Sequence, residues 1–380
     1  MIQSKLPNVG TTIFTRMSAL AAECEALNLS QGFPNFDAPE ALREALTRHV
    51  MAGHNQYAPM AGVLRLREQI SAQLLLHRQV NCDPESEITV VPGATQGIFC
   101  AVMACVRPGD EAILFDPCYD SYQPSVELAG GKAIRVPLVP GQFSLDRERL
   151  EAALSPRSRL IMINSPHNPT GSTLSRDDLA YLEALVEKHE LLVISDEVYE
   201  HLVFDGGEHH SVLQFPALRA RSFVLFSFGK TFSVTGWKTG YCVAPGPLTA
   251  ELRKVHQFVS FVAVTPVQMA LADFMQAQPD YPATLAAFYQ QKRDLFCSAL
   301  RDSRFVYKPS SGTYFQLLDY SAITELPDTA LCEQWTRQHG IASIPISVFY
   351  DKPPQQHYLR FCFAKSDPVL LAAAERLCEI

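Results

Sequence analysis

The sequence predicts an α/β protein with a mostly parallel sheet covered on both faces by helices, followed by a smaller α+β unit. Three observations predict it. Short apolar runs alternate with helical patterns from about residue 88 onward. That alternation stops after about residue 285. A chain of 380 residues also exceeds one ordinary hydrophobic core and suits one large and one small unit. Strand–helix alternation places helices on both faces of a sheet, and that arrangement calls for parallel strands.

The elements follow in order. Thr15–Ala26 predicts a short helix, and Gln31–Pro39, rich in glycine and proline, breaks regular structure. Glu40–Met51 predicts a helix with Leu42, Ala45, Leu46 and Val50 on one face, and Leu64–Leu76 repeats that pattern. Strands are expected at Ile88–Val91, Glu111–Phe115, Ala133–Val136, Arg159–Ile163, Leu191–Ser195 and Phe223–Phe228. Helices are expected from Gly93 to Cys105, Leu145 to Leu154 and Asp177 to His189. Beyond 285, helices near 288–300, 328–339 and 367–378 flank the runs Phe305–Tyr307, Gly312–Leu318 and Tyr358–Phe363. The expected division is an N-terminal arm joined to the small unit (1–45), a large unit (46–285) and a small unit (286–380).

Composition narrows the function classes. Apolar content is 47% and charged content 19%, as in ordinary globular proteins. The net charge of −8 argues against nucleic acid and anionic membrane as partners. No apolar run approaches the roughly 18 residues a spanning helix needs. The start, Met1–Pro7, lacks an apolar signal core. The ten cysteines are scattered without a C-x-x-C pair and read as reduced thiols. The expected location is the cytoplasm.

Chemistry concentrates in Ser227-Phe-Gly-Lys230-Thr-Phe-Ser-Val-Thr-Gly-Trp-Lys238, which sets two lysines eight residues apart. One amine suits an aldehyde and the other a phosphate, a pairing that suggests pyridoxal phosphate (PLP). Gly229-Lys230-Thr231 also matches the end of a phosphate-binding P-loop, but that loop needs a glycine where Val224 stands. PLP makes further demands. Its pyridine nitrogen needs a buried carboxylate, and Asp196 closes an apolar strand. Its phenolate oxygen needs donors, and Asn168 and Tyr199 are placed to supply them. Its phosphate suits the helix opening at Gly93-Ala94-Thr95, with Ser227 and Lys238 beside it. Tyr119 can lie against the ring face. Arg360, between apolar neighbours in a strand, suits a substrate carboxylate, which arginine grips with two hydrogen bonds. Each feature has an ordinary structural reading: surface lysine, turn asparagine, helix-capping aspartate, loop tyrosine, edge-strand arginine. The shared position of Asn164–Gly171, Asp196 and the segment after Phe228 at the carboxyl ends of strands favours the site. His209-His210 lacks ligand spacing and reads as loop, so no metal site is expected.

Together these segments resemble the class I aminotransferases of PLP fold type I, over essentially the whole chain. The likeness is greatest to the branch with kynurenine/glutamine transaminases and bacterial methionine aminotransferases. It is carried by Ser30–Phe36, Asn55-Gln-Tyr57 with Gly62, Gly93–Thr95, Asp116–Tyr119, Asn164–Gly171, Asp196–Tyr199, Ser227–Lys230 with Gly236–Lys238, and Arg360. The resemblance implies a seven-stranded, mostly parallel sheet. It implies Lys230 as the lysine that bonds the cofactor and shuttles the proton, with Asp196 on the pyridine nitrogen. It implies Tyr199 and Asn168 on the phenolate oxygen and Tyr119 against the ring. Gly93, Ala94, Thr95, Ser227 and Lys238 would hold the phosphate. Tyr57 would reach the phosphate of a second subunit, so a homodimer is implied. Arg360, Asn168 and the Gly32 backbone would hold the substrate carboxylate. The activity implied is ping-pong transfer of an amino group from an amino acid to a 2-oxo acid. Dicarboxylate enzymes of the family use a second arginine, from the other subunit, in the region that here reads Lys254–Val264, and this stretch has none. A large uncharged donor follows: methionine first, then aromatic amino acids, glutamine or kynurenine. Phe14, Phe33 and Phe261 are candidate pocket walls, with core packing the favoured reading of each. A cysteine-S-conjugate or cystathionine β-lyase is the runner-up, and a non-catalytic PLP-binding regulator a distant third.

Overall fold

The computed structural model describes residues 2–380. Its largest sheet has seven strands. They are β1 (Ile88–Val91), β2 (Glu111–Asp116), β3 (Lys132–Pro137), β4 (Ser158–Asn164), β5 (Leu192–Asp196), β6 (Ser222–Ser227) and β7 (Gly240–Val243). Their spatial order is β1-β7-β6-β5-β4-β2-β3. Every neighbouring pair is parallel except those involving β7, which runs antiparallel to both β1 and β6.

Alternation along each strand sends side chains to opposite faces. Ile113, Phe115, Ile161, Ile163, Val224 and Phe226 enter one core, which includes Leu179, Leu182 and Val186 of the helix Arg176–Lys188. Ala112, Leu114, Leu160, Met162, Phe223 and Leu225 enter the other, against the helix Ala94–Cys105. Burial on both faces explains why the strands read as continuous apolar runs rather than alternating ones.

A third core gathers Met17 and Leu20 of the helix Ile13–Glu23 with Tyr289, Phe296, Trp335 and Leu370 from the C-terminal part. The N-terminal Leu27–Asn28 pairs in parallel with Ile341–Ala342. Beside it lies a three-stranded antiparallel sheet in the order β9-β10-β8, from β8 (Phe315–Asp319), β9 (Ile344–Pro345) and β10 (Tyr358–Cys362).

The expected break at residue 45 is corrected. It falls inside the helix Glu40–Met51, whose Leu42 and Ala45 are buried in a core of the large sheet. Phe36, by contrast, packs edge-on to Phe288 at 5.3 Å. The chain therefore crosses from one core to the other between residues 36 and 42. Several elements lacked a clear sequence signal. The helix Tyr122–Leu128 carries Pro124 in its first turn, where a missing N–H is tolerated but the pattern is interrupted. The strand β7 and the helices Gly246–Val259 and Thr265–Ala277 follow in quick succession after Lys238. Phe305–Tyr307 forms only an isolated bridge, from Val306 to Asp319. Among the described residues, no helix is long and apolar enough to cross a membrane.

Gly240 is the tightest backbone approach beside the strand ends. A Cβ there would collide with the carbonyl oxygen of Phe226 and lie 3.1 Å from the Ala94 nitrogen. Gly240→Ala is expected to destabilise the protein by about 1–3 kcal/mol through this overpacking, seen as a lower urea midpoint. An unchanged midpoint would mean that β7 shifts freely.

Candidate active site

Parallel strands end on one edge of a sheet, and ligands settle beyond their carboxyl ends. Here β4 ends at Asn164, β5 at Asp196 and β6 at Ser227, and the helix Ala94–Cys105 begins beside them. A cavity of about 430 Å³ opens at that edge. Gly32, Gly93, Ala94, Thr95, Tyr119 and Asn168 line it, together with Asp196, Tyr199, Ser227, Lys230, Lys238 and Arg360. Every site residue expected from the sequence is thus brought together, with one exception. Tyr57 is 83% exposed on the outer surface, where its ring meets Phe261 edge-on at 5.5 Å.

Asp196 is buried where β5 ends. Its Oδ2 accepts a hydrogen bond from the Tyr122 hydroxyl at 2.6 Å, and its Oδ1 accepts one from the Val198 N–H at 3.3 Å. Burial pushes its pKa up to about 6; Tyr122, Val198 and the charge of Lys230 act against that rise. Asn164 fixes the neighbouring backbone: its Nδ2 donates to the Asp196 carbonyl at 2.8 Å, and its Oδ1 accepts from the Asn168 N–H at 2.8 Å.

Lys230 sits on a single helical turn, Phe228–Thr231, directly after β6. Its Nζ donates to the Gly32 carbonyl at 3.1 Å and to the Tyr314 hydroxyl oxygen at 2.9 Å. Tyr314 in turn donates to Gly32 O at 2.6 Å. Burial pulls the lysine pKa down to about 8, so the amine is neutral in about half the molecules near pH 8 and in most at higher pH. The rings of Tyr199 and Tyr314 stand 5.6 and 5.5 Å from that nitrogen.

The start of the helix Ala94–Cys105 is open. No side chain caps it, and Gly93 precedes it at φ +82°. Lys238 also takes a left-handed backbone, φ +48°. A Cβ at Gly93 would come within 3.2 Å of Lys238 Nζ. Free helical N–H groups beside an ammonium form a cradle for an anion.

Arg360 lies on the central strand β10 and is 1% exposed. It donates to Asn168 Oδ1 at 2.7 Å and to the Ser30 carbonyl at 2.9 Å. Its guanidinium stacks 3.9 Å above the Phe315 ring. Its Nε is buried without a partner, and no carboxylate bonds it among the described residues. A buried cation left in this state favours an incoming carboxylate.

Other contributors carried no local signal. Tyr122, Tyr314 and Phe315 touch Asp196, Lys230 and Arg360 across separations of 74, 84 and 45 residues. Aromatic residues beside the Gly-Thr turn at 312–313 were the one hint for the last two. Phe14 and Phe33 do line the cavity, but Phe261 lies outside it against Tyr57. His209, read as plain loop, is buried and donates through Nε2 to Glu197 at 2.9 Å. That Glu197 also accepts from Ser195 Oγ and the Val212 N–H, which ties the loop beneath β5.

The lysine sets a pH dependence. Its folded pKa is lowered, so the folded protein releases the proton from about pH 8 while the unfolded chain keeps it until about 10.5. The unfolded state binds more protons in that window, so this group makes stability rise with pH there. Below pH 8 the buried charge exacts its full cost. The urea stability of wild type relative to Lys230→Met is therefore expected to rise by on the order of 2–3 kcal/mol from pH 8 to 10.5. A difference that stays flat across this range would contradict the burial argument.

The chain matches the family model for aminotransferase class I and II over residues 25–377. It is 50% identical over 378 residues to methionine aminotransferase of Escherichia coli (strain K12), covering 100% of this chain and 98% of that protein. The crystal structure of YbdL from Escherichia coli, whose reactivity identifies a methionine aminotransferase function, covers 100% of both chains at 50% identity with a TM-score of 0.98. Kynurenine–oxoglutarate transaminase of Dictyostelium discoideum is 33% identical, over 98% of this chain and 94% of that one. The fold, the strand-end cavity and these similarities agree, and the chain belongs to the class I and II aminotransferase family.

Proposed function

We propose that this protein binds PLP in the strand-end cavity and transfers the amino group of methionine, or another large uncharged amino acid, to a 2-oxo acid. Members of the class I and II family use PLP. The observation that carries the reading is the pairing of Lys230 and Arg360 in one cavity. A half-buried amine with a lowered pKa shares the cavity with a buried guanidinium that lacks a carboxylate partner. The fit to PLP rests on three further features. The open helix start with Lys238 suits its phosphate, Asp196 suits its ring nitrogen, and Tyr119 supplies an aromatic wall.

Bound PLP supplies a sink for negative charge developing at the substrate α-carbon. The chain's own groups do the rest. Asp196 would hold a cationic ring nitrogen, and Tyr199 and Asn168 would donate to the phenolate oxygen. Arg360 and Asn168 hold the substrate carboxylate beside the Gly32 backbone and so present the α-carbon to Lys230. With PLP bound, the neutral amine of Lys230 would take the substrate α-proton on its Nζ and carry it until it is returned. Phe14, Phe33 and Ile98 leave an apolar space for the side chain. Among the described residues, the cations lining the cavity are Lys230, Lys238 and Arg360, each with a role already. The 50% identity to a methionine aminotransferase supports methionine as donor.

The same proposal includes a homodimer in which Tyr57 reaches the partner's phosphate site. Its support is an exposed apolar patch of Tyr57, Phe258, Val259, Phe261 and Val264. It also includes a cytoplasmic location, supported by the scattered thiols, none of them disulfide-bonded, and the division into two units implied by the separate cores.

The test is a half-reaction. Purified protein loaded with PLP is expected to show a visible absorption band that methionine shifts to the near ultraviolet and 2-oxo-4-methylthiobutyrate restores. Pyruvate and ammonia formed from cystathionine without any 2-oxo acid would favour the β-lyase instead. A protein that takes up no PLP would overturn the proposal.

A further inference from the structure

Asp196 has two oxygens, and the fold occupies them unequally. Oδ2 receives the Tyr122 hydroxyl at 2.6 Å, whereas Oδ1 has only the longer bond from the Val198 N–H at 3.3 Å. Tyr122 is 4% exposed and is not among the residues that line the cavity, so it stands behind Asp196 rather than on the cavity wall. Its ring also meets Tyr119 edge-on, with centroids 5.7 Å apart. One residue thus braces both the carboxylate and the aromatic wall. The helix Tyr122–Leu128 that carries it follows within a few residues of β2, and so binds this brace to the sheet.

A phenol donating to a carboxylate forms a charge-assisted bond, which favours the ionised form and fixes the plane of the group. An ionised carboxylate of fixed orientation discriminates strongly in favour of a cationic partner and against a neutral one. We propose that Tyr122 is a positioning residue: it fixes the Asp196 carboxylate so that this group selects a protonated ring nitrogen on the bound cofactor. The inference rests on the PLP reading above and adds a residue that acts through Asp196.

The test compares PLP with its analogue in which the ring nitrogen is replaced by C–H. Both dissociation constants are measured by absorbance for full-length wild type and Tyr122→Phe. The ratio of the two constants is the readout. Wild type is expected to prefer PLP, and Tyr122→Phe to lose about tenfold or more of that preference while its affinity for the analogue stays the same. In an Asp196→Asn background, Tyr122→Phe is expected to leave the ratio unchanged. Tyr122→Met, which also lacks a donor, is read in the same way if the phenylalanine variant does not fold. Equal losses of affinity for both ligands would mean a purely structural tyrosine and overturn the inference, as would an unchanged ratio. A wild type that binds neither ligand would overturn the functional reading together with it.

Discussion

Asp196, Lys230 and Arg360 are three ionisable groups withdrawn from water into one cavity and bonded to one another in no pair. Taking a charge out of water costs several kcal/mol unless it is paired, so a fold ordinarily closes such groups into salt bridges. This fold offsets the cost with neutral dipoles instead. Asp196 has a phenol and a backbone N–H, Lys230 a carbonyl and a phenol, and Arg360 an amide oxygen, a carbonyl and an aromatic face. The charges remain available to a ligand. The position of each polar neighbour follows from that constraint.

The segment from Ser30 to Asn35 connects these groups. Its carbonyls accept from Arg360 at Ser30, from Lys230 and Tyr314 at Gly32, and from Lys365 at Phe33, while Asn35 accepts from the Ser366 N–H. A stretch without regular structure is thereby held by the catalytic candidate on the large sheet and by residues of the C-terminal part. Its backbone polar groups are bonded chiefly by side chains of those two parts. Binding at Lys230 and binding at Arg360 therefore bear on the same few peptide units.

Much of this was legible in the sequence because the chemistry lies at the ends of strong local signals. Asp196 and Ser227 stop apolar runs, Gly93 starts a helix, and Arg360 interrupts an apolar strand. Each position follows from the element that carries it, and the parallel sheet then sends the strand ends to one edge. Tyr122 and Tyr314 were not legible in this way. Their hydroxyls act on groups far away in sequence, and Pro124 hides the helix that bears Tyr122. His209 gave no periodic signal either, since its burial comes from a loop folding back on Glu197. The end of the arm was not legible because Glu40–Met51 has an apolar face that does not itself name its partner, and packing places Leu42 and Ala45 in a core of the large sheet.

The central claim is that chemistry passes through the amine of Lys230, with Lys238 confined to holding an anion. Reducing the PLP-loaded protein with borohydride and mapping the labelled peptide by mass spectrometry tests it directly. The account predicts a single pyridoxyl group on Lys230. Label on Lys238, or spread over surface lysines with Lys230 unmodified, would contradict it.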